Sequence, residues 1–406
     1  MSKVMQALGL MSGTSLDGID VSLVTTDGES HVVRGPAMTL PYTPEIRALL
    51  LAAIEDSKDI KDRRDRPAHL PHAERELTEL HAAAVSHFLR KQGISRDQID
   101  VIGFHGQTVL HRPMTQKFIG TTQPKAILDT PSVVPFLADG MITVQLGLGE
   151  KLADLTRIPV VYDMRAADVA AGGQGAPLVP VYHQAVTAKL PQRPAAVVNI
   201  GGVANVTWIG RDGRLLAFDS GPGNALIDDW MRAKVAFDFD ADGEMAAQGQ
   251  INSAVLHEYL NHAYFKSSPP KSLDRNSFSL DPVAALGAED GAATLTAFTA
   301  ETIARARQHM PEEPELWIIS GGGRRNQTLM SMLAGLVHHA VVPAEAAGLN
   351  GDSLEAEAWA YLAVRSLKGL PITFPGTTGV LAPMRGGLLA KPKASIFATP
   401  KPANED

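Results

Sequence analysis

The 406-residue chain is expected to fold as an α/β protein made of two halves built to one plan. Three observations predict this. A strand, a polar glycine-bearing turn and a second strand occur at residues 5–26, and the same succession returns at 195–219. Each hairpin then introduces further strands followed by helices. No close sequence repeat accompanies the repeated plan. A cleft between two such halves is a common place for a nucleotide.

Composition narrows the class. Hydrophobic residues make up 45% and charged residues 20%, as in ordinary soluble globular proteins. The formal charge of −7 argues against a general nucleic-acid or anionic-membrane surface, though a local basic pocket stays compatible with it. The chain has no cysteine, which excludes disulfides, thiolate nucleophiles and cysteine-held zinc or iron–sulfur centres. The opening MSKVMQALGLMSG has a short apolar run interrupted by Gln6 and Gly9, unlike a signal h-region. No apolar stretch reaches the length of a membrane span. The expected location is the cytoplasm.

The elements follow in order. VMQALGL and IDVSLVTTD read as antiparallel strands, and HVVRGPAMTLPY continues their sheet. From Pro44 to about Gly93 the pattern turns helical, with EIRALLLAAIE and ERELTELHAAAVSHFLRKQGI carrying apolar residues at three- and four-residue spacing. The charged DSKDIKDRRDRPAHLPHAE between them is expected to be solvated surface. DVIGFHGQTVLHRP is a buried strand ending in a polar cluster. Residues 115–140 show no clear period. MITVQLG and IPVVYDM are strands around a helical EKLADLT. AAVVNIGGVANVTWIGRDGRLLAFDSGPGN reads as three strands joined by turns, and NALIDDWMRAKV and LTAFTAETIARARQHM as helices. ELWIIS is a strand, and SLEAEAWAYLAVRSLKG a helix with Ser353 as its cap. The tail from Lys391 is rich in proline and alanine and is expected to be disordered.

Five clusters carry chemistry. In GLMSGTSLDGID, Gly13 and Gly18 free the backbone, Ser12, Thr14 and Ser15 supply hydroxyls, and Asp17 and Asp20 supply carboxylates. That mixture suits backbone N–H groups facing a phosphate with a carboxylate near its metal, and a decorated hairpin is the open alternative. In NIGGVANVT, Gly201 and Gly202 end an apolar strand, where either close ligand approach or a β-bulge would want glycine. FDSGPGN places Asp219 before a loop-to-helix junction that offers free N–H groups. In WIISGGGRRN, a strand runs into Gly321, Gly322 and Gly323, as backbone lying against a flat ring would require. DMRAADVAAGGQGAPLVP sets Asp168 ahead of Gly172, Gly173 and Gly175. It is a candidate general base, or else a helix cap. In GFHGQTVLHRP, His105, Gln107 and Thr108 could bind sugar hydroxyls or satisfy their own turn. His105 and His111 make no metal box, so zinc is not expected. No P-loop and no G-x-S-x-G elbow occurs.

In this order the clusters resemble one family, the anhydro-N-acetylmuramic acid kinases, within the actin/hexokinase-like (ribonuclease H-like) group. The likeness runs from GLMSGTSLDGID through GFHGQT, AADVAAGGQGAPLVP, NIGGVANVT, FDSGPGN, DADGEMAAQG, PPKSLDRNSF and ISGGGRRN to NGDSLEAEAWAYLA, and covers most of the chain. It implies an α/β two-domain kinase with an ATP cleft. Domain I would span 1–140 and be completed by 351–390, domain II would span 141–350, and 391–406 would be a tail.

The resemblance further implies site roles. ATP would be held by Gly13, Thr14, Ser15, Leu16, Asp17, Gly18, Ile19 and Asp20, by Gly201, Gly202 and Asn205, and by Gly321, Gly322 and Gly323. Asp17 would hold Mg²⁺ directly or through water. Asp168 would be the catalytic base, with His105, Gln107, Thr108, Arg165 and Glu355 as sugar contacts. The family's reaction opens 1,6-anhydro-N-acetylmuramic acid, a peptidoglycan turnover product, with water and phosphorylates its 6-oxygen. A homodimer is also implied. The chain departs from the family pattern in the length of 56–75 and 115–140, in QLGLGEKLA, and in Arg165-Ala166-Ala167 where more arginine is usual. Two competing readings are a kinase of the same fold for another sugar and a non-catalytic nucleotide-dependent regulator. The regulator predicts loss of the catalytic carboxylate.

Overall fold

The computed structural model describes residues 3–13, 15–112 and 141–394. Thr14, the 115–140 segment and the tail beyond 394 lie outside the described residues. The first sheet holds β1 (Met5–Ser12), β2 (Gly18–Thr26), β3 (Val32–Pro41), β4 (Val101–Arg112), β5 (Ile142–Leu146), β6 (Val160–Tyr162) and the late β12 (Leu388–Ala390). Its order is β12-β6-β4-β1-β2-β3, with β5 antiparallel on the far half of β4. The second sheet holds β7 (Ala195–Ile200), β8 (Val203–Ile209), β9 (Leu215–Pro222), β10 (Leu316–Ser320) and β11 (Ala340–Pro343), in the order β11-β10-β7-β8-β9.

The two orders state one plan twice. Three strands run as an antiparallel meander, and two later strands add in parallel on the other side of the first. This is the duplicated ribonuclease H-like topology of the actin/hexokinase-like fold. The expected division at 140/141 is displaced, because β5 and β6 both pair with the first sheet. Hydrogen bonding to β4 keeps residues 142–162 with that sheet, a tie that composition does not reveal.

The helices are α1 (Pro44–Asp56), α2 (Leu70–Gln92), α3 (Gly149–Thr156), α4 (Ala166–Ala170), α5 (Pro180–Thr187), α6 (Ala225–Val235), α7 (Glu244–Gln248), α8 (Ser253–Leu260), α9 (Ala288–Arg305), α10 (Gln327–Val337), α11 (Leu354–Leu367) and α12 (Pro375–Thr378). Local chemistry sets their ends. Thr43 caps α1 through Ile46 N–H, with Pro44 at the first turn. Gly93 ends α2 in the left-handed region (φ 64°), after Arg90 and Lys91 in the last turn. Ser353 takes the cap position of α11 without capping it. Its hydroxyl donates instead to Glu357 at 2.8 Å.

Strand alternation sorts the core into layers. Leu8 and Leu10 pack with Val85 and Phe88 of α2, while Ala7 and Met11 face Trp359 and Ala360 of α11. In the second sheet Val198 and Ile319 pack outward with Ile303 of α9 and Leu333 of α10, whereas Val197 and Ile318 join the core shared with α5 and α11. Helix α11 lies directly on the first sheet. A Cβ on Gly9 would come 1.7 Å from Ala356 O, and one on Gly103 2.0 Å from Trp359 O. Gly9 and Gly103 are register partners across β1 and β4, so two bare backbones make one seat for the helix.

The charged run expected to be solvated is partly structural. Arg63 pairs with Asp163, and Arg66 holds the buried Glu74 through Nε and Nη2 at 2.8 and 3.0 Å. Ile60 of the same run is buried beneath them. Among the described residues no helix is long and apolar enough to cross a membrane.

Candidate active site

The first glycine turn closes with Leu16 N–H donating to Gly13 O and with Leu16 at a positive φ of 54°. Leu16 and Ile19 put their side chains in the core, so only their backbones can meet a ligand. Ser15 Oγ donates to Asp17 Oδ1 at 2.9 Å. Asp20 accepts from Thr39 Oγ1 at 2.5 Å. Burial raises its pKa to about 6, and the charges of Asp17 and Asp352 add to the shift.

The second turn is built against the third cluster. Asn224 N–H donates to Gly201 O at 2.7 Å and Gly223 N–H to Gly202 O at 2.9 Å. Gly321 has φ 73°, and a Cβ there would meet Asn199 Oδ1 at 2.4 Å. Asn205 lies opposite Asn199 in the β7–β8 ladder. Arg324, buried behind the glycines, holds Glu345 and Asp352 at 2.8–3.1 Å, and Asn326 caps α10 through Leu329 N–H. Arg324 thereby fixes the loop that leads into α11.

The two turns meet at Glu355. Asn199 Nδ2 donates to Glu355 Oε1 at 3.0 Å. Burial raises the pKa of Glu355, which Arg165 opposes and the charges of Asp20 and Asp17 reinforce. Glu355 thus lies within hydrogen-bond distance of the second turn's amide and within electrostatic reach of the first turn's carboxylates.

The glycines divide into two kinds. Gly18 abuts Leu40 O (2.5 Å from a Cβ) and Gly323 abuts Ile200 (2.4 Å), so packing accounts for both, as it does for Gly321. Gly13, Gly201, Gly202 and Gly322 are different. A Cβ on them would find its nearest atom at 3.4, 3.8, 3.7 and 3.5 Å, and none has a positive φ. Neither packing nor backbone geometry inside the chain asks for glycine at these four positions. Open space at such turns fits a bulky anion, although Gly201 N–H is itself given to Val203 O at 3.2 Å.

Asp168 is not a cap. It is the third residue of α4, it is 1% exposed, and its side chain turns back on the following loop. Gly175 N–H donates to its Oδ2 at 2.7 Å, and Thr378 Oγ1 donates to its Oδ1 at 2.6 Å. A Cβ on Gly173 would strike Oδ2 at 2.2 Å. Burial raises its pKa, while hydrogen bonds from Thr373, Thr378 and Gly175 and the Arg165 charge pull the other way.

Arg165 organises the sugar side. Its Nε donates to His105 Nε2 at 3.1 Å, its Nη1 to Gly175 O at 2.7 Å, and its guanidinium lies 5.2 Å from the Trp359 ring centre. Burial lowers its pKa to about 10, still fully charged at neutral pH. His105 gives its Nδ1–H to Gly106 O at 2.7 Å, and burial followed by the Arg165 charge holds it neutral. Gln107 departs from the expected sugar contact. It is fully buried, accepts from Ser12 Oγ at 2.6 Å and donates to Thr108 O at 3.2 Å. Thr108 accepts from Gln145 Nε2 at 3.2 Å.

Sequence reasoning missed Thr378, Asn199 and Arg324 as members of this centre. The Pro-Gly-Thr-Thr-Gly turn at 375–379 was a visible signal for Thr378. Nothing local marks Arg324 as a support for residues almost thirty positions on. Among the described residues no three His, Asp or Glu groups form a metal cluster.

Comparison with known proteins follows the same geometry. A family model described as anhydro-N-acetylmuramic acid kinase matches residues 5–139 and 133–391. A Rhizobium etli protein of that name is 48% identical over 396 residues, covering 97% of this chain and all of the relative. An Azorhizobium caulinodans protein of the same name is 50% identical over 395 residues, covering 96% of this chain and all of that one. One from Brucella suis is 46% identical over 398 residues, covering 97% and 100%.

Proposed function

The chain belongs to the anhydro-N-acetylmuramic acid kinase family, and on that premise we propose that it converts 1,6-anhydro-N-acetylmuramic acid, water and ATP to N-acetylmuramic acid 6-phosphate and ADP. It is a phosphotransferase with an alcohol acceptor, and its substrate places it in cell-wall peptidoglycan recycling. The observation that supports the mechanism is a buried carboxylate, Asp168, sharing the Gly175 backbone with the Arg165 guanidinium, in a chain whose glycine turns keep open space.

Asp168 takes a proton from the water whose oxygen attacks the anomeric carbon. The bond from that carbon to the bridging 6-oxygen breaks, and its electron pair goes to the oxygen. That oxygen attacks the γ-phosphorus, the bond to the β-phosphate bridge breaks, and ADP leaves. Phosphoryl transfer needs positioning and charge neutralisation above all. Gly13 and Gly202 supply backbone donors for the phosphates, the space beside Gly201 admits them, and the room at Gly322 suits the nucleoside. Arg165, fixed by His105, holds the loop that carries Gly175 and so orients Asp168.

The donor set of Asp17 and Asp20 fits Mg²⁺, which keeps most of its waters and takes one or two carboxylates plus phosphate oxygens. The ion would neutralise phosphate charge there. The pKa of Asp20 is raised chiefly by burial, with the Asp17 charge adding to it, and a bound cation would oppose both.

Both competing readings meet an obstacle in the residues present. A regulator stripped of catalysis has no use for a carboxylate as carefully held as Asp168. Another sugar as substrate is favoured by no observation. The reading extends to a cytoplasmic enzyme, to a pair of chains in solution, and to domains divided after Tyr162. Its test is an assay of the anhydro sugar with ATP and Mg²⁺, with the product mass checked for both added water and added phosphate. A product lacking the water would overturn the mechanism, and no product would overturn the function.

A further inference from the structure

Asp168 rides on α4, with Arg165 at its opening, and α4 is only five residues long. A helix of that length does not hold its own direction. Three residues, 163–165, separate it from the end of β6, so the conformation of this turn decides where the guanidinium and the carboxylate are presented. The turn passes through Asp163, whose φ of 57° lies in the left-handed region. A residue with a side chain stays there only when its surroundings over-determine it.

Arg63 supplies that determination. Its Nη2 donates to Asp163 Oδ1 across 100 residues of chain. The two side chains are 26% and 13% exposed, so solvent screens the pair far less than a surface ion pair. Burial raises the pKa of Asp163, and the charge and hydrogen bond of Arg63, then the charge of Arg66, oppose it. Arg63 is itself placed from both sides. Ser57 Oγ donates to Val109 O of β4 at 2.6 Å, and Ile60 is buried. Arg66 Nη1 donates to Arg63 O at 2.8 Å while its Nε and Nη2 hold Glu74 of α2. The guanidinium of Arg63 is thus delivered to Asp163 by anchored main chain.

We propose that Arg63 and Asp163 are positioning residues for the reaction. The pair locks the left-handed turn, which sets Arg165 on His105 and Gly175 and brings Asp168 to the Gly175 N–H. They act through Arg165 and Asp168 and not on the reacting atoms. The inference rests on the kinase reading above and adds to it the support that orients its base.

The test is steady-state kinetics with the anhydro sugar, ATP and Mg²⁺, beside a melting curve for each variant. Arg63→Met keeps the stem of the side chain and removes its charge and donors. It should lower kcat about tenfold and leave KM for ATP within about twofold, because a displaced base slows the chemical step and leaves the phosphate turns alone. Arg63→Lys should recover most of kcat, since Arg63 makes a single end-on contact with Asp163 and its Nε has no hydrogen-bond partner. Asp163→Gly takes the left-handed φ freely and buries no carboxylate, so it tests the pair even where Arg63→Met does not fold. It should lower kcat severalfold, and adding Arg63→Met to it should cost little more. Unchanged kcat in Arg63→Met or Asp163→Gly, even with a lower melting temperature, overturns the proposal. So does an equal loss in Arg63→Lys and Arg63→Met, or a full second loss in the double variant. No turnover by the unaltered chain overturns the kinase reading and this inference with it, a result distinct from turnover that the variants leave unchanged.

Discussion

Asn199 gives its side-chain amide to Glu355 Oε1 at 3.0 Å across 156 residues of chain. The first belongs to the second sheet, and the second opens the helix seated on the first sheet. Through this contact the strand that leads into the second glycine turn is tied to the helix that the first sheet carries. The expected results below follow from that arrangement and from the groups around Asp168.

Asp168→Asn keeps the size and one of the two accepted hydrogen bonds while removing the proton acceptor. It should lower kcat by about 10²–10⁴-fold and leave sugar and ATP affinity within a few-fold. Calorimetric titration of each ligand beside steady-state kinetics checks both parts. Turnover near that of the unaltered chain would show that the base is another group.

The pH profile carries a sign. Burial raises the pKa of Asp168, and a general base works only when ionised. The acidic limb of kcat/KM should therefore fall at a pH above the ordinary carboxylate range, and rate should rise with pH through it. A limb lying at the usual aspartate value would contradict the assignment.

Asp20 gives a stability prediction with the opposite look. Its pKa is raised from 3.8 to about 6 in the fold, so the folded state binds its proton more tightly than the unfolded chain. Its contribution is fully present below pH 3.8 and is lost as pH rises through about 6. Asp20→Asn should then melt higher than the unaltered, ligand-free chain at pH 8, by about 1 kcal/mol after solvent screening, and no higher at pH 3.5. Saturating Mg²⁺ and nucleotide should narrow the difference at pH 8. Melting curves at the two pH values decide.

The glycines separate by assay. Gly201→Ala meets nothing within the chain closer than 3.8 Å and should keep the melting temperature while raising KM for ATP about tenfold. Gly223→Ala, whose Cβ would lie 2.2 Å from Gly201 O, should lose about 1–3 kcal/mol of stability as well. If both variants lost stability alike, the space beside Gly201 would not be reserved for a ligand.

Gly9→Ala tests the helix seat. A Cβ 1.7 Å from Ala356 O forces α11 off the sheet, and the cost should reach about 3 kcal/mol, read by denaturant titration.

Much of this was legible from the chain. The two hairpins, the helix order and the strand into Gly321 follow from period and punctuation, which are local properties. Asp168, Arg165 and Glu355 were legible because the cluster series resembles a known family. Three things were not. The strand at 142–146 pairs with β4, a partner that composition and period do not reveal. Gln107 looks like a sugar ligand in HGQT, yet a serine ninety-five residues away takes its oxygen. Arg63 reads as solvated charge, yet its acidic partner Asp163 lies a hundred residues along the chain. Each failure concerns a partner that sequence proximity does not name.

The paired glycines under α11 have a mechanical consequence. With main chain resting on main chain, the helix has no side-chain cushion in which to slide, so it travels as one rigid piece with β1 and β4. Its ties to other elements are made at its opening turn, where Tyr182 donates to Glu357 and Asn199 to Glu355. Two hydrogen bonds to one helical turn are thus the clasp between this rigid piece and its neighbours, and the bare strands beneath are its fixed jamb.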